Sequence, residues 1–361
     1  MQLKARILFA IAIAVSLIAI FTIFLVSRSF RIARQSTIHL AVDLAEDHQR
    51  GLVDLLVETF DNLRLVSSDG KPIKVFTFDA PRADNWDIIV ETADTFSARS
   101  SVVAFDPYVL LSQTKAGIAP TVRTGSSIRE LTSWLDTLDR DSWSPFVIAG
   151  DERRDFAALI LYLAGELLRA EESQAIMEYV SDNVLDSDDE SIDEQILNLA
   201  PVLDLLIGWR SLEIIPFNWT DWDTIAVENE ILNGRAALAF VARSLTKAFD
   251  WQERLDLEVH RLPSGSSRRE YGMIGEGVVM LRGDGVLSDL YDDAADFLAG
   301  GSFQDAIERE TVWTPLSAPL SPINREHRDV VRWIEGAHAI STISPKIYLH
   351  PLFERLHILL R

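Results

Sequence analysis

The groups in this chain that could do chemistry are seven histidines, 55 acidic residues and a set of aromatic side chains, with no cysteine at all. His39, His48, His260, His327, His338, His350 and His357 nowhere show the H-E-x-x-H spacing that sets two imidazoles on one helical face for a metal. No Gly-x-Ser-x-Gly elbow and no phosphate-binding P-loop occurs, so an activated serine and a nucleotide site both lack their signatures. The absence of cysteine removes disulfides, thiolate ligands and thiol nucleophiles. Gly272, Gly275 and Gly277 give G-x-x-G-x-G, the reverse of the dinucleotide fingerprint, and fit close backbone packing better. The acidic run 186–194 lacks the central glycine of a calcium loop and reads as a solvated loop or helix start. Neither a cofactor nor a catalytic group is indicated, and the chain reads as a non-enzyme. What remains is binding chemistry, concentrated in the aromatic-polar loop Phe217-Asn218-Trp219-Thr220-Asp221-Trp222-Asp223.

The composition narrows the partners. A net charge of −21 argues against a broad nucleic-acid surface. At 361 residues and 48% hydrophobic content there is material for one large bilobal unit or two domains. Residues 7–26 form an apolar run relieved only by Ser16 and Thr22. About 20 helical residues span a bilayer core, whereas a cleaved leader has a shorter apolar region and small residues at its cut site, so an uncleaved anchor is expected over a removed signal. Lys4 and Arg6 precede the run and Arg28, Arg31 and Arg34 follow it, so charge leaves the orientation open.

Several elements must position the binding groups. Strand-like runs at 37–42, 73–78 and 86–90, with a helix over 51–65, predict a mostly parallel α/β sheet. Residues 102–111 read as a buried strand leaving that first lobe, and 236–241 as the strand that returns. Between them, Ser127 caps a helix over 128–138, residues 155–168 form a strongly apolar helix, and 196–209 is helical despite Pro201. Asp223 caps a helix that Gly234 stops. Strands at 257–262 and 275–280 follow, then a helical face over 287–298 ended by Gly300-Gly301. A Pro-rich connector at 315–322 leads to two helices, around 325–339 and 351–360. Two crossings between α/β bodies make a clamp with a cleft, which suits capture of a ligand, not its turnover.

Four segments carry a family resemblance. These are 102–113; 223–240 with Asn233-Gly234-Arg235-Ala236-Ala237; Leu262-Pro263-Ser264-Gly265 with 272–280; and 292–314 with Ala294-Ala295-Asp296-Phe297-Leu298 and Trp313-Thr314-Pro315. Their order over residues 36–361 resembles the extracellular solute-binding proteins of ABC importers, the family 1 group of maltose-type and other sugar receptors with the periplasmic-binding-protein type II fold. The resemblance implies a bilobal α/β fold with hinge crossings, preceded by one N-terminal transmembrane helix. Its parts would be 1–35 as anchor or signal, 36–104 and 242–314 as lobe 1, 105–241 as lobe 2, and 315–361 as C-terminal helices packing on lobe 2. By position in such receptors, the ligand contacts would be Phe78, Asp79, Trp86, Asp106, Tyr108, Trp219, Trp222, Arg243, Glu276 and Trp313, using rings against sugar C–H faces and polar groups against hydroxyls. The implied function is that of a membrane-tethered extracytoplasmic protein that captures a small solute, a carbohydrate, and presents it to permease subunits without any cofactor. Ala242-Arg243-Ser244 stands where the family often has Gly-x-Trp, and this favours the alternative of a binding-type sensor or a non-transport scaffold.

Overall fold

The computed structural model describes residues 37–43, 50–62, 74–79, 88–93, 100–117, 127–182, 189–249, 256–263, 272–282, 288–316, 325–337 and 339–361. The apolar run 7–26 and Trp86 lie outside the described residues. Among the described residues no helix is long and apolar enough to cross a membrane.

The strands are β1 (Thr37–Asp43), β2 (Lys74–Asp79), β3 (Ile88–Thr92), β4 (Ser100–Gln113), β5 (Ser144–Val147), β6 (Ala236–Ala242), β7 (Leu257–His260), β8 (Gly272–Arg282) and β9 (Ala339–Thr342). The helices are α1 (Arg50–Asn62), α2 (Ile128–Asp136), α3 (Arg153–Leu167), α4 (Ala170–Asp182), α5 (Asp189–Asn198), α6 (Ala200–Ser211), α7 (Thr224–Leu232), α8 (Arg243–Ala248), α9 (Ser288–Ala299), α10 (Gly301–Glu310), α11 (Arg325–Gly336), α12 (Pro345–Tyr348) and α13 (Pro351–Leu360). Local chemistry sets several of these boundaries. Ser127 and Glu130 form a reciprocal capping box on α2, and Asp223 accepts the Ala226 N–H to start α7. Pro201 and Pro351 occupy the first turns of α6 and α13, where a missing N–H costs nothing, so Pro201 opens a new helix.

The strands hydrogen-bond in the order β2-β1-β3-β8-β4-β6-β5, with β7 also on β4 and β9 also on β8. The sheet is mixed: β1, β2 and β3, the strands from which a mostly parallel sheet is expected, are parallel, and the antiparallel pairs all involve β4 or β8. β1 pairs in parallel with β2 and β3, β5 with β6 and β8 with β9, whereas β4 is antiparallel to β6, β7 and β8, and β3 is antiparallel to β8. The antiparallel pairings come from the long strands β4 and β8 running in opposite directions through the middle of the molecule.

β4 changes partners along its length. Residues 100–107 pair with β8, and residues 108–112 pair with β6. Pro107, which has no N–H to give, sits at the switch. The buried side chains divide at the same place. Val103 and Ala104 join Leu52, Val90, Val278, Met280, Leu298, Ile307 and Trp313 in one core. Tyr108 and Leu110 join Leu131, Phe156, Leu163, Trp209, Leu238, Phe240 and Leu356 in another. On the opposite face of the second sheet region, Val109, Leu111, Ala239 and Val241 pack against Val227 and Ile231 of α7. The alternation of Leu110 and Leu111 between these faces is the period of two that a strand imposes. We call the body around the first core the first half and the rest the second half.

The return of the chain is carried by β8, not by β6. All seven residues of β6 are buried, and among the described residues they pair only with the second part of β4 and with β5. An apolar run of this kind reports covering on both sheet faces, not a crossing. β8 spans the junction: Gly272 to Gly275 pair with β9, and Val278 to Arg282 pair with β3. At its middle, a side chain on Gly275 would collide with the Asp106 carbonyl oxygen and stand 2.8 Å from the Pro107 Cα, so only glycine lets the two backbones close here.

Candidate ligand-binding site beside the crossing of β4 and β8

Charge is concentrated at the crossing. Asp106 on β4, Glu276 on β8 and Asp155 in the first turn of α3 are 1%, 3% and 7% exposed. Carboxylates this deep need partners. Asp106 accepts the Ser244 backbone N–H at 2.8 Å and the Ser244 hydroxyl at 2.6 Å. Tyr108 donates its hydroxyl to Asp155 Oδ1 at 2.6 Å, and its ring stacks on Phe240. Arg154 supplies the cation, with Nε 3.4 Å from Asp155 Oδ1 and Nη1 3.3 Å from Glu276 Oε2. Burial first, with the nearby Glu276, raises the pKa of Asp106, while Arg154 and Ser244 oppose the rise. Burial and the adjoining Asp155 push the Tyr108 phenol well above its usual range. A network satisfied by its own members stiffens the crossing.

The structure gathers four of the expected contact residues here. Asp106, Tyr108 and Glu276 belong to the network, and Arg243, 3% exposed, precedes Ser244 at the start of α8. The other described residues of the set are placed elsewhere. Phe78 and Asp79 end β2, opposite Ala41 and Val42. Trp313 is fully buried in the first core, and Trp222 is half-buried against the α7 face. Trp219 is 1% exposed and stacks on Phe156 within the second core. A 3-10 turn over Trp219–Asp221 folds the loop inward, and its backbone and ring press on Gly150, where a Cβ would meet Trp219 O at 2.5 Å.

Next to the network lies a cavity of about 210 Å³ that sequence reasoning missed. One wall is the entry to α3, with Asp151, Arg153 and Phe156. The other comprises Tyr348, His350, Glu354 and His357 of the C-terminal segment. His357 Nε2 lies 3.0 Å from the Thr220 carbonyl oxygen, an acceptor that requires the proton on Nε2, and its ring stands edge-on to Phe156. His350 Nδ1 accepts the Leu352 N–H at 3.1 Å and thereby caps α13. The first turn of α3 thus presents Arg153 and Phe156 to the cavity and sends Arg154 and Asp155 into the crossing. The one local cue was Gly150-Asp151 between an apolar strand and a helix; nothing local brings residues 348–358 to it. Among the described residues no group of three or more His, Cys, Asp or Glu side chains could hold a metal.

No model of a known protein family matches the chain, and no curated protein does. Solved structures do. The bacterial solute receptor AcbH, described with an exclusive preference for β-D-galactopyranose, superposes with a TM-score of 0.64 at 10% identity over 90% of this chain and 92% of that one. A family 1 extracellular solute-binding protein from Bifidobacterium longum subsp. infantis gives 0.59 at 13% identity over 90% and 94%. The binding protein MsmE from Bacillus subtilis, in an open conformation, gives 0.57 at 12% identity over 91% and 93%. The chain therefore has the mixed α/β fold of the extracellular solute-binding proteins, the group that its ordered segments resemble.

Proposed function

We propose that this chain is a solute-binding receptor without catalytic activity, whose two lobes are joined at β4 and β8 and which takes a small carbohydrate beside that junction. The observation that carries this is the cavity between α3 and the C-terminal helices, lined from the second half alone, next to the turn that reaches the crossing, and walled by rings and by polar groups. That mixture suits a sugar, whose C–H faces lie on rings while its hydroxyls take hydrogen bonds. At about 210 Å³ the space is smaller than the ~300–1,000 Å³ of pockets for drug-sized ligands, so it suits one or two sugar rings over a long oligosaccharide. Ligand that prefers the closed arrangement would shift the population toward it, and the closed form would be what ABC permease subunits meet. The run 7–26 supports an extracytoplasmic body tethered to the membrane.

The test is a thermal-shift series with mono- and oligosaccharides, beginning with galactose, on the wild type and on Tyr348→Ala and Arg153→Ala. Saccharide-dependent stabilisation that the two substitutions weaken is the expected result. A second reading, a sensor or scaffold that has lost transport, is favoured by the burial of Trp219 and Trp313, which leaves neither ring for stacking on a sugar. Flat melting curves across sugars, amino acids, peptides and anions would select it.

A further inference from the structure

Outside the β4–β8 ladder, a lysine also joins the two halves. α8 continues directly from β6, and its Leu245 and the following Phe249 pack with Val241 and Ala239 in the second half. From this helix Lys247 reaches into the first half. Its Nζ donates to Glu308 Oε2 at 2.7 Å and to Trp313 O at 2.6 Å, with Glu308 O and Thr311 O each at 3.4 Å. Glu308 and Thr311 stand at the C-terminal end of α10, where free carbonyls favour a cation. The side chain is only 9% exposed, so the ammonium has given up most of its water.

We propose that Lys247 is a proton-operated clasp between the halves, holding α8 to the end of α10 more firmly when neutral than when charged. The inference rests on the two-lobe reading above. Removal from water is the dominant influence on this amine and brings its pKa down to about 8; Arg243 acts in the same direction, while Glu308 and Asp106 oppose it. In water a lysine titrates near 10.4. Rising pH favours whichever arrangement binds fewer protons, so the clasped one gains between about pH 8 and 10.5 and proton uptake favours release. The two short contacts survive deprotonation, because a neutral amine keeps two N–H groups for Glu308 and Trp313. Loss of water outweighs what Glu308 and the carbonyls offer the charged form, so the site holds the neutral amine more readily.

The absence of cysteine makes the test clean. Asp54→Cys on α1 and Glu194→Cys on α5, both at exposed positions, take spin labels on the first and second halves. Distance distributions by dipolar spectroscopy are compared at pH 7 and pH 10, with melting curves confirming that each variant is folded. With Lys247 in place, the ratio of clasped to released molecules rises, by roughly 70-fold if the released lysine titrates as a free one. Lys247→Met, which carries no titrating proton, and Lys247→Arg, which stays charged at both values, give distributions that do not move. A pH-invariant distribution for Lys247, or an equal response in the Met variant, overturns the clasp. A distance change on adding galactose without any pH response removes the clasp and leaves the receptor standing. A pH response without any saccharide response does the reverse.

Discussion

Arg154 Nη1 lies 3.3 Å from Glu276 Oε2, and this contact ties the first turn of α3 to the middle of β8. Because Arg153 and Phe156 of the same turn line the cavity, a ligand that moves that turn also pulls on the strand joining the halves. Removing the cation tests how much the tie holds. Arg154→Met leaves Glu276 and Asp155, with side chains 4% and 10% exposed, facing each other's charge. A loss of about 3 kcal/mol is expected in urea denaturation. Adding Glu276→Gln should then cost less than it does alone, and strictly additive losses would show the pair to be uncoupled.

Trp219 and Tyr348 separate stability from binding. Trp219→Ala empties a closed site against Phe156 and Gly150 and should cost about 3–5 kcal/mol of folding stability. Tyr348, half-buried between the cavity and the second core, should behave differently: Tyr348→Ala costs less stability, about 1–2 kcal/mol, and lowers saccharide affinity about tenfold. Calorimetric titration beside thermal denaturation reads both quantities.

Two glycines should respond with opposite signs. Gly275→Ala forces a methyl between the backbones of β8 and β4 and is expected to destabilise by about 1–3 kcal/mol or more. Gly208, inside α6, has nothing within 4 Å of an added Cβ. Gly208→Ala should therefore stabilise by about 0.5–1 kcal/mol through the unfolded chain's lost freedom. Matched chemical denaturation curves decide both.

The pH dependence of Ser244→Ala follows from Asp106. A carboxyl whose pKa is raised by burial contributes stability that is fully present below its unfolded value of about 3.9 and is lost as pH rises through its folded one. Ser244 limits that loss by donating to the ionised group. Without the hydroxyl the variant's deficit should grow from pH 4 to pH 7, reaching about 1–2 kcal/mol. An equal deficit at both values would mean that Asp106 does not change its ionisation between them.

Boundaries written in local chemistry were legible in the sequence. The Ser127 cap, the Asp223 cap and the Gly234 stop, whose φ is 67°, needed only a few neighbouring residues. Features decided at a distance were not. Gly300-Gly301 reads as an end and does close α9 after Ala299, but nothing local announced that Gly300 also caps the start of α10. Ala339 reads as the end of a helix and 340–342 carry no reading of their own, yet 339–342 extend the sheet beside β8. Of the two apolar strands taken for crossings, β4 spans both halves and β6 does not, because a run buried on both faces looks the same in either role. Trp219 sits among polar neighbours in the sequence, and only the turn over Gly150 reveals that its ring goes inward. The cavity was invisible for a plainer reason: its two walls are separated by nearly the whole second half of the chain.

Interleaving of the two cores constrains how the molecule can be made. The first draws on residues 52–104 and again on 278–313, with most of the other inserted between them, while the second waits for its final layer from residues 343–360. Neither can be completed on a growing chain until most of it has been synthesised, and the edge that β3 offers to β8 must stay open meanwhile. Contacts so remote in sequence make for slow folding and leave apolar edges open to wrong partners. Severing the chain near residue 107 would accordingly yield two fragments, each lacking part of its own interior.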